Sequence, residues 1–298
     1  MSSHETVLIT GTSSGFGRNI AETLARKRYT VFATMRNVVG KNAAAAREIR
    51  ELAKKESLDL HVLELDVTQD ESVNRAVAAA AEKTGRIDVA INNAGYGVIG
   101  VTEAITTEQV RRIMETNFFG AVRVNRAVLP GMRRQKSGLL LHISSGAGRL
   151  AIPAMAFYCA SKFAMEAMAE TYHYELAAQG IDSVIVQPGA YPTAVFGNLE
   201  RAADPSRNDT YGEVAAIGDR VIEQLSASKA NPQELADAVV QIIETPAGKR
   251  RLRYRVSAGG FGVDDINTVC ERVQHQMLQS FGIAEITQFK APRASGAA

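Results

Sequence analysis

The chain has 298 residues, and its 34 Lys and Arg residues nearly balance its 32 Asp and Glu residues, giving a formal net charge of +2. A charge so close to zero excludes a nucleic-acid binder whose affinity depends on a strongly basic surface. The 46% hydrophobic and 22% charged residues are typical of a globular protein and not of a disordered, fibrous or membrane protein.

The positions of the cysteine, histidine and apolar residues bear on disulfides, metal binding and membrane insertion. Cys159 and Cys270 have no CxxC spacing and the histidines are scattered, so the sequence supports neither a disulfide framework nor a metal site. The start of the chain becomes strand-like at about Thr6, too early for a leader segment, and no run of about 20 apolar residues occurs. We expect a cytoplasmic protein with no nucleic-acid, membrane or metal partner.

Short β-branched runs alternate with longer amphipathic segments from one end to the other. The predicted strands are TVLIT (6–10), TVFATM (30–35), LHVLELDV (60–67), VAINNAG (89–95), GLLLHIS (138–144), SVIVQPG (183–189) and LRYRVSAG (252–259). The basic run KRRLRYR (249–255) overlaps the last of these, and we expect its cations to point outward from an edge strand.

Start and stop signals delimit the predicted helices between these strands. The helices cover 15–28, 41–56, a segment from the capping-box pair Thr68 and Glu71 to Gly85, a long segment from the pair Thr106 and Gln109 towards Arg134, about 156–179 before Gly180, and a segment begun by Asn231, Pro232 and Glu234.

Strands that are apolar on both faces and are joined by helices predict a parallel sheet covered on both sides. The predicted fold class is α/β, with a doubly wound parallel sheet of about seven strands. We expect one domain over 1–298, with an insertion around 194–230 and a helical extension around 263–298. Ligands bind such sheets at the carboxyl ends of the strands, near the topological switch point.

A glycine-rich turn, TGTSSGFG, follows the first predicted strand and contains Gly11, Gly15 and Gly17. Glycines there let the main chain approach a pyrophosphate, which the N-terminus of the next helix attracts. A turn of this kind also serves close packing alone, so that alternative stays open at this point. The spacing is GxxxGxG and not GxGxxG.

Several motifs stand in a characteristic order: TGTSSGFG at 10–17, Asp66 in LDV, NNAG at 92–95, Asn117, Ser145, YCASK at 158–162 and PGAYPT at 188–193. Together they resemble the compact type of short-chain dehydrogenase/reductase over residues 6 to about 193. The ATMRN strand end and the PGAYPT loop are similar to those of hydroxysteroid and retinol dehydrogenases. The resemblance implies a Rossmann-type fold, NADP(H) or NAD(H) as cofactor, and an oxidoreductase.

The predicted catalytic residues are Asn117, Ser145, Tyr158 and Lys162. Tyr158 and Lys162 share a helix face, and an adjacent ammonium should lower the pKa of the phenol, which then acts as acid and base. The family spacing selects Ser145 over Ser144, which we expect to bond to backbone. The resemblance gives Lys162 the ribose hydroxyls and Asn117 a supporting role in a proton relay; a solvent-facing Asn117 is the alternative.

The end of the second strand indicates NADP(H), because Arg36 stands there and no carboxylate opposes a 2′-phosphate. Tyr191 replaces the family's usual Val or Ile, which makes the orientation of Thr193 less certain. The predicted cofactor-binding residues are Gly11, Ser13, Ser14, Gly15, Phe16, Gly17, Arg36, Asp66, Val67, Asn93, Gly95, Lys162, Pro188, Gly189 and Thr193.

An apolar set of side chains should surround the reacting carbon: Val98, Ile99, Leu150, Met155, Tyr191, Val195 and Phe196. We therefore expect a medium-sized, mostly apolar ketone, aldehyde or alcohol as substrate. We also expect a lid at 194–230 and Arg149 at the solvated surface.

The apolar helix at 156–179 predicts a homodimer or homotetramer. A non-catalytic NADP-binding scaffold or redox sensor is the alternative; an epimerase or dehydratase fits the glycine spacing less well.

Overall fold

A computed structural model of the chain describes residues 5–191, 199–256 and 261–290. In these ranges seven strands form one parallel sheet: β1 (Thr6–Thr10), β2 (Thr30–Met35), β3 (Leu60–Glu64), β4 (Val89–Asn92), β6 (Gly138–Ile143), β7 (Ile181–Pro188) and β9 (Arg253–Val256). Their order is β3-β2-β1-β4-β6-β7-β9, and neighbouring strands pair in parallel. The predicted doubly wound α/β sheet is confirmed.

Helices connect the strands and cover the sheet. They are α1 (Gly15–Arg26), α2 (Ala43–Glu56), α3 (Asp70–Thr84), α4 (Thr107–Met114), α5 (Gly120–Gln135), α6 (Ala156–Ala177), α7 (Ile217–Ser226), α8 (Gln233–Glu244) and α9 (Val263–Ser280). A π-helical turn, Glu115–Phe119, joins α4 to α5 without a break. Two short strands, β5 (Val98–Ile99) and β8 (Glu200–Arg201), pair in parallel outside the main sheet.

The two faces of the sheet bury two separate apolar cores. Val7 and Ile9 of β1 lie in the core that includes Ile20 of α1, whereas Leu8 lies in the core that includes Val73 of α3 and Val128 of α5. This division follows from the alternation of side chains along a strand. It explains why β1 is apolar at successive positions, as the sequence predicted.

The topological switch point lies beside β1, which pairs with β2 on one side and β4 on the other. The glycine turn leaves β1 at this position. A crevice therefore opens at the carboxyl ends of these strands, where doubly wound sheets bind ligands.

The capping box predicted at Thr68 and Glu71 is wrong. Helix α3 begins at Asp70, and Thr68 instead donates from its N–H and its hydroxyl to Asp66 Oδ1, at 2.9 and 2.8 Å. The nearby carboxylate outcompetes the helix N-terminus for this threonine. The predicted closure at Gly85 (φ +77°) and the capping box of Thr106 with Gln109 are both confirmed.

The basic run at 249–255 lies partly on the predicted edge strand, because β9 ends the sheet, but its cations do not all point outward. Arg250 pairs with Asp182, and Arg253 pairs with Glu166 and Glu170. The side chain of Arg253 is 1% exposed. Carboxylates that arrive from β7 and α6 compensate these charges, which a local sequence pattern cannot reveal.

The part of the predicted 194–230 insertion that the structure describes, residues 199–230, contains regular secondary structure. The described portion contains β8, a 3₁₀ segment at Pro205–Ala216 and α7. Thr193, Val195, Phe196 and the end of the strand predicted at 252–259 lie outside the described residues. Across the described ranges, no helix combines the length and the apolar character needed to cross a bilayer.

Candidate active site

A cavity of about 1780 Å³ opens at the carboxyl ends of the central strands. This exceeds the usual volume of about 300–1,000 Å³ for a pocket that holds one small ligand. Most of the predicted site residues line it: Gly11, Ser13, Ser14, Gly15, Phe16, Gly17, Arg36, Asp66, Val67, Asn93, Gly95, Ser145, Tyr158, Lys162, Pro188 and Gly189. The cavity has room for a dinucleotide and a second molecule.

The glycine turn leaves main chain bare on the cavity wall. Gly11 has φ +73°, and a Cβ there would lie 2.7 Å from Ala94 Cα. A Cβ on Gly17 would lie 2.4 Å from both Asn93 Nδ2 and Gly11 O, whereas a Cβ on Gly15 would meet nothing within 4 Å. Asn93, the residue after β4, donates from Nδ2 to Thr10 O (2.8 Å) and Gly11 O (3.1 Å). These two hydrogen bonds hold the glycine turn against the end of β4.

The end of β2 presents basic groups to the cavity. Met35 is buried there, Arg36 is exposed, and Asn42 Nδ2 donates to Arg36 O at 2.6 Å. The turn that follows has Asn37 at φ +54° and brings Lys41 to the cavity wall. Sequence reasoning missed Lys41; its position five residues after Arg36, beyond a turn rich in Asn and Gly, is the signal that could have found it.

Asp66 and Val67 form the next part of the wall. The carboxylate of Asp66 accepts the two bonds from Thr68 and closes a local turn. Val67 packs closely on Gly120, where an added Cβ would lie 2.8 Å from Val67 Cγ2. Asp66 and Val67 therefore form a fixed part of the cavity wall, with one charged and one apolar side chain.

Tyr158 and Lys162 lie one turn apart on α6, with Lys162 Nζ 5.8 Å from the centre of the Tyr158 ring. Burial raises the pKa of Tyr158, while a hydrogen bond with Ser145 opposes this rise. The expected lowering by the ammonium is therefore wrong for this structure, because desolvation of the phenolate dominates. Burial lowers the pKa of Lys162 to about 8, and its Nζ donates to Ile143 O at 2.8 Å.

Ser145 begins the turn after β6, where its hydroxyl oxygen accepts from Ala147 N at 3.1 Å. Ser145 lines the cavity together with Tyr158, whose pKa it lowers against the larger effect of burial. The expectation that the Ser144 side chain bonds to backbone is wrong: its hydroxyl donates to Glu166 Oε1 at 2.7 Å. Glu166 arrives from α6, so the partner is set by tertiary packing.

Asn117 does not line the cavity but lies fully buried behind it, in the π-helical turn. Its Oδ1 accepts from Tyr96 N at 3.0 Å, and its Nδ2 donates to Tyr96 O (2.9 Å) and Ser161 Oγ (3.0 Å). A Cβ added at Gly95 would lie 3.0 Å from Asn117 Oδ1 and 3.8 Å from Lys162 Nζ. The solvent-facing alternative is therefore wrong, and Asn117 adjoins the lysine side of the site.

The apolar wall differs in part from the predicted one. Leu150, Met155 and Tyr191 line the cavity, but Val98 and Ile99 do not and are packed in apolar clusters. The hydroxyl of Tyr191 donates to Val256 O at 3.0 Å, and its ring meets Phe16 edge to face at 5.4 Å. Leu199, Val221 and Leu225 complete the wall; they come from the insertion, where sequence reasoning had named other residues.

Arg149 is not at the solvated surface. Its side chain is 14% exposed and pairs with Glu166 and Glu170. The sequence could not show this, because the two carboxylates lie far along the chain on α6. Among the residues that the structure describes, no three His, Cys, Asp or Glu side chains form a group that could hold a metal ion.

Comparison with known proteins agrees with this geometry. A sequence model of the family described as short chain dehydrogenase matches residues 5–204. The chain belongs to the short-chain dehydrogenase family. It is therefore an oxidoreductase by family, and the resemblance seen in its motifs is confirmed.

Two relatives of known activity align with most of the chain. The 3-ketodihydrosphingosine reductase of Bacteroides thetaiotaomicron is 35% identical over 237 residues, which are 80% of this chain and 82% of that protein. Retinol dehydrogenase 8 of Homo sapiens is 34% identical over 290 residues, covering 92% of this chain and 90% of that one.

Solved structures of the family share the fold. A short-chain dehydrogenase from Streptomyces avermitilis has a TM-score of 0.76 and 29% identity, covering 95% of this chain and 98% of its own. An alcohol dehydrogenase from Thermococcus sibiricus in complex with 5-hydroxy-NADP has a TM-score of 0.68 and 25% identity, covering 85% and 96%. A Burkholderia phymatum protein in complex with NAD, at 21% identity and a TM-score of 0.73 over 99% and 98%, shares the fold.

Proposed function

We propose that the protein is an NADP(H)-dependent oxidoreductase that interconverts a ketone or aldehyde with an alcohol on a medium-sized, mostly apolar substrate. The observation that carries the proposal is that Ser145, Tyr158 and Lys162 line the same cavity as the glycine turn. The cavity thereby combines an acid/base group with a cradle for a dinucleotide.

The residues present fit a nicotinamide dinucleotide. Gly15 lines the cavity with φ +58° and open space around it, since a Cβ there would meet nothing within 4 Å, and the N-terminus of α1 begins at this residue. Exposed N–H groups at a helix N-terminus suit a pyrophosphate. Asp66 and Val67 would border the adenine, while Asn93, Gly95, Pro188 and Gly189 would border the nicotinamide half.

NADP(H) is favoured over NAD(H) by the charges at the end of β2. Arg36 and Lys41 both line the cavity, and Met35 stands where NAD-preferring sheets place a carboxylate. A guanidinium can donate charge-assisted hydrogen bonds to a 2′-phosphate, which is absent from NAD. The names of solved relatives include both cofactors, so this preference rests on the side chains of this chain.

Each polar group of the site has a distinct task in this proposal. Tyr158 exchanges a proton with the substrate oxygen, and the Ser145 hydroxyl orients that oxygen. Lys162 would hold the nicotinamide ribose through its ammonium. Asn117 would hold the main chain of Tyr96 through two hydrogen bonds. When bound, the nicotinamide supplies or accepts the hydride at the substrate carbon, so that one hydride and one proton convert a carbonyl to an alcohol.

The substrate class follows from the apolar part of the cavity lining. Its side chains are mainly aliphatic, namely Leu150, Ile152, Met155, Leu199, Val221 and Leu225. Sugars and short hydroxy acids would need more hydrogen-bond partners than this wall supplies. The names of the reductase of 3-ketodihydrosphingosine and of retinol dehydrogenase 8 are consistent with an apolar substrate.

The decisive experiment is oxidation of NADPH and NADH by the purified protein with a panel of ketones and aldehydes. We expect hydrophobic carbonyl compounds with NADPH to give the highest kcat/KM. Polar sugars or short hydroxy acids as the best substrates would overturn the substrate class. Tight NADPH binding without turnover of any member would instead favour the scaffold or sensor.

A further inference from the structure

A cluster of buried charges packs against residues 144–149, which we call the catalytic turn because they include the proposed catalytic residue Ser145. We call Arg149, Glu166, Glu170 and Arg253 the buried charge cluster; it joins that turn, α6 and β9. Glu166 is at its centre, 2% exposed, and its Oε2 lies 3.2 Å from Nε of both arginines. Charges buried to this degree are costly unless each is compensated, so their position is closely defined.

Glu166 holds the catalytic turn directly. Its Oε1 accepts from the hydroxyl of Ser144, the residue before Ser145, at 2.7 Å. The turn also packs on the carboxylate at Gly148, where an added Cβ would lie 2.4 Å from Glu166 Oε1 and 2.6 Å from Ser144 Oγ. The carboxylate therefore anchors the start of the turn and fills the space beneath it.

The same carboxylate acts on Lys162, one helical turn before it on α6. Burial lowers the pKa of Lys162, and the negative charge of Glu166 opposes that effect. Residues i and i+4 lie on the same face of a helix, so the carboxylate and the ammonium project from one face of α6. A single side chain thus connects the serine turn and the lysine.

Neutral side chains complete the surroundings of Glu166. Gln187 Nε2 donates to both carboxylate oxygens, at 2.9 and 3.1 Å, and Gln187 Oε1 accepts from Asn267 Nδ2 at 2.7 Å. Asn267 belongs to α9 and accepts from Arg149 Nε at 3.1 Å. The carboxylate is fully engaged, with no contact left for a substrate or a cofactor.

We propose that Glu166 is a positioning residue of the reaction: it holds the turn that carries Ser145 and places a carboxylate on the face of α6 that carries Lys162. The inference rests on the proposed function for its kinetic part only. The proposal predicts that different variants change the position of the turn and the pKa of Lys162. The position of the turn depends on the hydrogen bond from Ser144, whereas the pKa of Lys162 depends on the negative charge of Glu166.

Three single variants separate these effects. Ser144→Ala removes the bond from the turn and leaves every charge in place. Glu166→Gln removes the charge and weakens the bond. Glu170→Gln is the matched control, because Glu170 pairs with the same two arginines from the next turn of α6 but contacts neither Ser144 nor Lys162.

The first readout is amide hydrogen exchange of residues 145–149 without any ligand. We expect exchange to rise about tenfold in Ser144→Ala, where the hydrogen bond to a charged group is lost, to rise less in Glu166→Gln, where that bond is weakened, and to stay unchanged in Glu170→Gln. Ser144→Ala should also lower kcat about tenfold through misplacement of Ser145, with KM for NADPH unchanged.

The second readout is the alkaline limb of NADPH binding and of kcat/KM. Lys162 is faced by Tyr158 and Glu166 from α6 and by His142 from β6, and burial lowers the pKa of His142 to about 3, so His142 stays neutral throughout. Loss of the carboxylate lowers the pKa of Lys162, so the alkaline limb in Glu166→Gln should move to lower pH. Ser144→Ala and Glu170→Gln should keep the wild-type limb.

Equal changes in Glu166→Gln and Glu170→Gln would show that the cluster only stabilises the fold and would overturn the proposal. Wild-type exchange and kcat in Ser144→Ala would also overturn it. If Glu166→Gln does not fold, Ser144→Ala against Glu170→Gln still decides whether the turn is held in this way. If the wild type reduces no carbonyl compound, the proposed function fails, whereas the exchange of residues 145–149 still tests the positioning.

Discussion

Tyr158 and Lys162 are affected by burial in opposite directions, and this opposition defines their chemistry. Burial raises the pKa of Tyr158, which favours the protonated phenol that the proposed acid role needs, while burial lowers the pKa of Lys162 to about 8. Each neutral form is the one that desolvation favours. Ser145 reduces the rise at Tyr158 through its hydrogen bond, and the charge of Glu166 opposes the fall at Lys162.

Replacing Tyr158 by Phe tests the acid/base role. We expect kcat to fall about 100-fold or more while NADPH binding is nearly unchanged, because the phenol transfers a proton and does not hold the cofactor. The measurements are steady-state turnover of an active substrate and the Kd for NADPH. Tyr211→Phe is the control, since its hydroxyl donates to Glu103 outside the cavity. Turnover above a tenth of wild type would refute the assignment.

A charge placed at the end of β2 tests the cofactor preference. Met35→Asp should lower the ratio of kcat/KM with NADPH to kcat/KM with NADH by about tenfold or more, since like charges repel the 2′-phosphate. Met35→Leu, which keeps the volume and the apolar character, should leave the ratio near wild type. An unchanged ratio in a folded Met35→Asp variant would contradict the preference for NADP(H).

At the scale of elements, Arg250 connects three parts of the fold. Its guanidinium pairs with Asp182 of β7 at 2.6 Å and donates to the terminal carbonyls of α8, Ile242 O at 2.9 Å and Ile243 O at 2.8 Å. Asp182 also accepts from Gly248 N at 3.1 Å. The arginine thus satisfies helix carbonyls and a buried carboxylate at once.

Arg250→Ala should lower the free energy of unfolding by about 3–5 kcal/mol, because it leaves Asp182 as an uncompensated buried charge. Lys249→Ala, next to it on the exposed surface, should change stability by no more than about 0.5 kcal/mol. Denaturant unfolding of the two variants measures the difference. Equal stabilities would mean that Asp182 does not depend on this arginine.

The sheet and the glycine turn could be predicted from the sequence because their signals are local. Apolar runs such as β1 and turn residues such as Gly11 carry their structural role in their own chemistry. The partners of Ser144, Arg149 and Arg253 could not be predicted, since Glu166 supplies all three across long separations in sequence. The π-helical turn at Asn117 is likewise hidden, because an α-helical pattern continues through it.

At the scale of the whole molecule, α6 carries an open apolar face. Phe163 on α6 is 43% exposed and Phe119 in the π-helical turn is 44% exposed. Ala160 and Ala167 lie beside Phe163 on the same exposed side of the helix. Exposed apolar surface of this kind favours association, which supports the expected homo-oligomer.

Light scattering tests the expected association. Wild type should be a dimer or tetramer at micromolar concentration, and Phe163→Glu should shift it towards the monomer because a charge would be buried at the interface. Val39→Glu, which changes an exposed apolar residue on the β2–α2 connection, should not alter the mass. A monomeric wild type would contradict the expectation.

The position of β9 at the end of the sheet sets an order of assembly during synthesis. Asp182 and Glu166 are synthesised well before Arg250 and Arg253. In a partly folded chain the carboxylate of Asp182 therefore lacks Arg250, and that of Glu166 lacks Arg253. Removing water from them is unfavourable until the last strand docks. The family match ends at residue 204, yet Glu166 beneath the catalytic turn gains its partner Arg253 only when residues some fifty positions later have folded. A nascent chain released before β9 would hold every motif residue and still lack a finished site.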